Sequence, residues 1–228
     1  MSVQNGAGRG LGLEVGGRRV APTGVIHVGG HHGEEAEYYD AHGARTVAWI
    51  EAEPDAFEVL QRRVAHRPGH HCIQALAADR DGEERAFYRH RFPGGKKRGF
   101  CSTLPWDRGA VARDPLLSRL ETFDVRSMRS ITVATALRAR HLSPAAFQYL
   151  SLNVQGAELL VLRGMGEYLE PIRWIFCDGE PDGSSRYAGA PTTSEVREWL
   201  RRRGFQPTAA ASSRLQFFFR VRDTAGSS

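Results

Sequence analysis

The chain has almost no lysine. Lys96 and Lys97 are the only two, so arginine carries nearly all of a formal charge of +5 over 228 residues. Such a bias reflects the base composition of a genome more than a function. The arginines are spread along the chain, which fits a solvated surface better than a nucleic-acid track. Cysteine is scarce too. Cys72, Cys101 and Cys177 lie far apart with no Cys-x-x-Cys spacing, which argues against a disulfide framework or a zinc knuckle and for three small buried hydrophobes. No apolar run approaches the ~18 residues needed to cross a bilayer, and the N-terminus lacks the charged-then-apolar pattern of a signal peptide. The reading is a cytoplasmic protein with no membrane partner. Internal repeats are missing as well, and the length suits one α/β domain while crowding two.

What is present begins at Val25-Ile26-His27-Val28-Gly29-Gly30-His31-His32-Gly33-Glu34, with Val47-Ala48-Trp49-Ile50-Glu51 following. A β-branched strand that runs into a glycine turn lets backbone N–H groups approach a ligand, because glycine has no Cβ and tolerates positive φ. An acid ending the second strand can accept both hydroxyls of a ribose, in dinucleotide and S-adenosylmethionine (SAM) folds alike. Glycine spacing separates the two. With Gly30 and Gly33 as the later glycines of a dinucleotide fingerprint, the first falls on Val28. SAM has no pyrophosphate to hold, so the spacing favours SAM over NAD.

Residues 1–20 are glycine-rich and read as a flexible lead-in, residues 21–222 as a single domain, and residues 223–228 as a disordered tail. Periodicity predicts strands at 25–30, 46–51 and 71–77, with helices at about 34–42 and 54–66 between them. This is the βαβ rhythm of a parallel sheet. An inserted strand and loop, 85–110, interrupts it, with a strand at 85–89 and a glycine- and lysine-rich loop at 93–99. Regularity returns with a strand at 147–154, a helix at 157–168, a strand at 174–178 and a helix at 192–203 that stops at Gly204. Segments 205–211 and 214–221 read as a closing antiparallel hairpin.

With these blocks laid out, the chain resembles the FkbM family of SAM-dependent methyltransferases over about residues 24–206. The turn at 27–33 is similar to the family's Asp-x-Gly-[Ala]-[Asn/His]-x-Gly, Glu51 falls on its second-strand acid, and Ala77-Ala78-Asp79-Arg80-Asp81-Gly82-Glu83 resembles its Ala-x-Asp-x-x-Gly-Glu turn. Leu150-Ser151-Leu152-Asn153-Val154-Gln155-Gly156-Ala157-Glu158-Leu159-Leu160-Val161-Leu162-Arg163-Gly164 carries the strongest match, to Leu-Lys-Ile-Asp-Val-[Glu/Gln]-Gly-x-Glu-Leu-x-Val-Leu-Lys-Gly. The resemblance implies a Rossmann-like class I methyltransferase fold, with a seven-stranded, mostly parallel sheet, an antiparallel C-terminal hairpin and helices on both faces. It also implies SAM as methyl donor, S-adenosylhomocysteine as product and usually a hydroxyl oxygen as acceptor. Two departures stand out: His27 replaces the family's aspartate, and Asn153 with Gln155 replaces an Asp/Glu pattern.

In an open α/β sheet, ligands bind beyond the carboxyl ends of the strands. The expected cofactor set is therefore His27, Gly29, Gly30, His31, Gly33, Glu34, Glu51, Ala52, Ala78, Asp79, Asn153 and Gln155. For the base that takes a hydroxyl proton, His31 and His32 come first, since imidazole titrates near neutrality, and Asp178 and Glu180 second. Ser102, Thr103, Trp106, Glu180 and Tyr187 are the expected substrate contacts. Arg89-His90-Arg91 with Lys96-Lys97-Arg98 can hold a phosphate or carboxylate, or be solvated loop charge. No metal is expected, because Asn153 and Gln155 remove the obvious oxygen ligands. The leading reading is O-methylation of a small hydroxylated acceptor, a sugar or a specialised-metabolite intermediate, by a monomer or homodimer. A nucleic-acid acceptor is less favoured, since no RNA-binding domain is appended. An inactive SAM-binding relative and an NAD-dependent oxidoreductase remain as alternatives.

Overall fold

The computed structural model describes residues 14–15, 18–19, 21–92, 98–115, 117–183, 185–208 and 215–221. The order along the chain is β1 (Gly24–Val28), α1 (Ala36–Ala41), β2 (Thr46–Glu51), α2 (Pro54–Val64), β3 (His70–Gln74), β4 (Leu76–Ala77), β5 (Glu84–Arg91), β6 (Arg98–Ser102), α3 (Arg108–Ala112) and β7 (Glu121–Ile131). It continues with α4 (Val133–Arg138), β8 (Tyr149–Leu152), α5 (Glu158–Arg163), β9 (Trp174–Asp178), α6 (Thr193–Arg201), β10 (Phe205–Pro207) and β11 (Leu215–Arg220). Within the expected lead-in, Glu14–Val15 pairs antiparallel with Arg18–Arg19. The rest of that lead-in and the tail at 223–228 lie outside the described residues.

Seven strands form one sheet in the order β10-β11-β9-β8-β1-β2-β3. The run from β9 to β3 is parallel, and β11 lies antiparallel to both its neighbours. This is the architecture expected from the sequence. Period-2 alternation builds its two faces. Val25, Val47, Trp49 and Tyr149 point to one core, closed by Ala36 and Tyr39 of α1 and Leu60 and Val64 of α2. Ile26, Val28, Ile50, Leu150 and Ile175 point to the other, closed by residues of α4, α5 and α6. Each such side chain contributes about 1.5–3 kcal/mol when fully buried. Helix α2 starts cleanly because Pro54 occupies its first turn and the Glu53 carboxylate accepts the Ala56 N–H at 2.6 Å.

His27 belongs to this core. Its ring is 2% exposed, stacks on Trp49 at a centroid distance of 4.9 Å, and shares a 2.9 Å hydrogen bond with the Tyr39 hydroxyl. Burial pushes its pKa down to about 4.

The insertion is larger than the sequence suggested. A second sheet, β4-β7-β5-β6, takes in residues 76–131, with the eleven-residue β7 at its centre beside β5. The strand expected over 71–77 breaks at Ala75, whose N–H donates to the Glu51 carbonyl at 3.0 Å, and the chain then crosses into the second sheet. The helix expected over 157–168 stops at Arg163. At Gly164 an added Cβ would lie 2.0 Å from the Ala78 carbonyl oxygen, so the chain turns there under β4 and resumes as a 3-10 turn, Gly166–Leu169. Buried Arg89 pins the insertion to the main sheet. Its guanidinium pairs with Glu53, with Asp55 at 3.0 Å and with Asp124 at 2.8 Å. No helix among the described residues is long and apolar enough to cross a membrane.

Two stability measurements follow. Removing one member of a buried ion pair typically costs about 3–5 kcal/mol, so Arg89→Met should lower the free energy of urea unfolding by that order. Neutral His27 sets a pH dependence. Between its unfolded pKa of 6.5 and its folded value of about 4, the unfolded chain binds a proton that the folded chain refuses. Its contribution is therefore full above pH 6.5 and is lost as pH falls through that window, by on the order of 3 kcal/mol. Urea unfolding across this range should show the decline, with His27→Phe reducing its slope.

Candidate functional site

The carboxyl ends of β1, β2, β8 and β9 meet along one edge of the sheet, and the turn after β1 is drawn across it. Gly29 and Gly30 donate their N–H groups to the Ile50 carbonyl at 2.9 and 3.2 Å. Gly29 has φ +82, and a Cβ there would lie 2.1 Å from the Asn153 carbonyl oxygen, so only glycine lets the turns after β1 and β8 approach this closely. A Cβ on Gly33, at φ +71, would come within 2.7 Å of Leu60 in α2.

Glu51 closes this cradle. Its carboxylate is 8% exposed, and its two oxygens accept the N–H groups of His31 and Glu53, both at 2.7 Å. Burial raises its pKa in spite of those donors. Each oxygen keeps a free lone pair, and this is what ribose hydroxyls need. A buried acid with two open acceptor sites beside a turn stripped of Cβ atoms fits SAM. Half-buried Ala52 follows Glu51 on the same edge.

The remaining expected cofactor residues divide. Asn153 and Gln155 come together, with the Gln155 amide donating to Asn153 Oδ1 at 2.7 Å. Asp79 is taken by Arg85 at 2.6 Å, and Ala78 is buried with its N–H on the Ile131 carbonyl at 3.0 Å. His27 is a correction: its ring packs inside the sheet face against Trp49, so it is not a ligand. His31 adopts φ +44, and its Nδ1 lies 2.8 Å from Glu34 Oε1. Burial lowers the His31 pKa, but the Glu34 hydrogen bond and the Glu34 and Glu51 charges outweigh it and the net shift is upward. Glu34 falls to about 2, its own partial burial being outweighed by the His31 contact. His32 stacks on His31 at 3.7 Å.

On the other side of Gln155 stands a wall of aromatic side chains. Trp106 and Tyr187 stack at 4.7 Å with 13° between their planes, and His90 lies 4.7 Å behind Trp106. The Tyr187 hydroxyl donates to Gln155 Oε1 at 2.9 Å, and Ser102 Oγ donates to the Gln155 carbonyl at 2.7 Å. Gln155 itself sits at φ +54, a left-handed backbone held from two directions. Of the expected substrate contacts, half-buried Trp106 thus covers Tyr187, which is buried. Ser102 serves the frame, and Thr103 is committed to the Ala86 carbonyl at 3.0 Å.

Glu180 is fully buried and grips Arg186, accepting its backbone N–H and its guanidinium at 2.6 Å each, so it fixes the loop that carries Tyr187. This withdraws it from base and substrate roles. Asp178, at the end of β9, stays half-buried at the edge. The basic tract disperses: Arg89 is inside an ion-pair cluster, His90 is buried with its pKa pushed down to about 4 by desolvation, and Lys96 and Lys97 lie outside the described residues. Sequence reasoning missed Glu53 and Glu158 as parts of this edge. Glu158 is fully buried, accepts the Gly156 N–H at 3.2 Å, and is pushed up to about 7 by burial. Its place inside the 150–164 block was the available signal. A cleft of about 640 Å³ along β3, lined among others by Phe57, His71, Cys72 and Arg140, includes none of the expected site residues.

Comparison with known proteins agrees with this geometry. The model of the methyltransferase FkbM domain matches residues 27–207. Among solved structures, the chain is similar to a methyltransferase FkbM from Methylobacillus flagellatus KT, with a TM-score of 0.52 and 11% identity over 87% of this chain and 44% of that one. The chain thus spans less than half of that neighbour's length. Magnesium protoporphyrin IX methyltransferase from Synechocystis PCC 6803 with bound S-adenosylhomocysteine aligns with a TM-score of 0.44 and 10% identity, over 86% of this chain and 74% of that one. No curated protein matches the chain in sequence. With the domain match covering most of its length and the seven-stranded sheet in place, the chain belongs to the FkbM family of SAM-dependent methyltransferases.

Proposed function

We propose that the protein methylates a hydroxyl oxygen of a small, ring-bearing acceptor, a sugar or a specialised-metabolite intermediate, in the cytoplasm. The catalytic unit is one domain over residues 21–222. The observation that carries this reading is the Trp106–Tyr187 stack, in which half-buried Trp106 covers a buried Tyr187 that is tied through Gln155 to the carboxyl end of β8. A flat aromatic surface holds a sugar or aromatic ring by its face. Arg186, whose guanidinium lies 5.6 Å from the Tyr187 ring, is already paired with Glu180, which favours a neutral acceptor over a phosphorylated one or a nucleic acid.

When bound, SAM supplies an electrophilic methyl group on a sulfonium. The protein's task is to align the acceptor oxygen with the S–CH3 bond, and positioning of two reactants can supply most of the barrier reduction. As the O–C bond forms and the C–S bond breaks, the hydroxyl proton needs an acceptor. His31 and His32 sit on the glycine turn with Glu34, on the side of the ribose acid. Glu180 is closed under Arg186. Asp178, which ends β9 on the same side as Tyr187 and Gln155, is the remaining candidate, and we assign it the base role. Asn153 and Gln155 are amides that take no proton near neutral pH and serve to orient.

Two variants test the scheme. Glu51→Ala should weaken SAM binding by about 1.5–3 kcal/mol, the range for hydrogen bonds to a charged group. Unchanged affinity by calorimetry in a folded variant would remove Glu51 from the ribose. Asp178→Asn should bind SAM normally and turn over about 10²–10⁴-fold more slowly once an acceptor has been found by screening hydroxylated compounds. Full turnover in that variant would return the base role to the histidines.

A further inference from the structure

The methyl-transfer scheme leaves one group of side chains without a task. His31 Nδ1, His32 Nδ1 and a Glu34 carboxylate oxygen all lie within 4.8 Å of one another. Glu34 Oε1 is 2.8 Å from the first nitrogen and 3.6 Å from the second. Three ligands held about 2.1 Å from a tetrahedral ion stand roughly 3.4 Å apart, so these separations already bracket the required spacing. Consecutive residues in extended backbone point to opposite faces, yet these two histidines stack at 3.7 Å. The left-handed backbone at His31 brings them to one side, and the His31 N–H bond to Glu51 anchors it.

We infer that His31, His32 and Glu34 form a binding site for a divalent transition metal, with zinc the ion best suited to the donor set. Two imidazoles and a carboxylate are a ligand trio that leaves a fourth position open to water. The neighbouring charges are mixed: Glu35 and Glu51 act on His31 and favour a cation, while Arg63 acts on His32 and opposes one. The ring planes stand 25° apart and must open for both nitrogen lone pairs to meet a single ion. Both rings are surface side chains, 46% and 39% exposed, and can turn without disturbing the core. This site is distinct from the oxygen-ligand arrangement that Asn153 and Gln155 exclude, and it rests on the proposed function, in which Asp178 rather than a histidine is the base.

The test uses the untagged full chain, stripped with chelator and titrated with Co2+ as a spectroscopic stand-in for zinc. One equivalent should produce the visible absorption of four-coordinate cobalt, and Zn2+ should displace it. His32→Ala and Glu34→Gln should each weaken binding at least about tenfold and lose that absorption, with circular dichroism and SAM affinity retained by His32→Ala. Absence of the absorption in the wild-type chain would overturn the proposal. So would equal binding by wild type and both variants, which would place the ion on histidines elsewhere. Glu34→Gln keeps the inference falsifiable should His32→Ala fail to fold.

Discussion

The Glu51 carboxylate ends β2 inside the protein, and two backbone N–H groups at 2.7 Å hold its oxygens, one from the glycine turn and one from the start of α2. Burying an ionised carboxylate is costly, and hydrogen bonds to a charged group return about 1.5–3 kcal/mol each. Here two are insufficient, since the carboxyl still stays above its ordinary pKa through burial. The group is therefore left short of donors in a crevice where donors can arrive. Ribose hydroxyls would complete its shell under the proposed function.

The constraint spreads outward from Glu51. Its carbonyl takes the Ala75 N–H and so sets where β3 ends and the insertion departs. Its neighbour Glu53 caps α2 and pairs with Arg89, which ties β5 to the main sheet. On the far side of the crevice, Ser102 of β6 and Tyr187 both bond Gln155. The inserted sheet is thus attached at both ends of the cofactor edge, once through an ion pair and once through Gln155. That attachment holds Trp106 in place against Tyr187.

Much of this was legible in the sequence where one element sufficed to decide it. The strands at 46–51 and 174–178 match their expected limits, because apolar β-branched and aromatic runs ending in an acid read the same in isolation as in the fold. Glu51, Gly29 and the 150–164 block lie at the sheet edge where the sequence put them, for the same local reason. Strand β7 was invisible: Val125 is 53% exposed, Arg126 and Arg129 flank it, and a register shift opposite Arg89/His90 breaks any period-2 pattern. His27 was read as a ligand because its burial depends on Trp49 and Tyr39, which only the fold brings together. Glu180 failed similarly, since the arginine that consumes it lies in a loop with no periodicity to announce the pair.

The pairing of Asn153 with Gln155 gives the departure at Asn153 a physical reason, since glutamine at 155 is already within the family pattern. An amide both donates and accepts, so Tyr187 can donate to Gln155 while Gln155 donates to Asn153. Carboxylates at both positions would set two acceptors against each other at 2.7 Å, the separation observed here, and one would have to be protonated or bridged by a cation. The amide chain removes that conflict and leaves the edge with fewer charges. Glu51 and Asp178 then stand at the carboxyl ends of β2 and β9, the two carboxylates to which the proposed scheme gives the ribose and the proton. Under the proposed scheme the neutral stretch between them would border the transferred methyl group. As transfer proceeds the sulfonium loses its positive charge, so a negative side chain at that point would stabilise the starting state more than the transition state. Neutral amides orient the reactants without that bias.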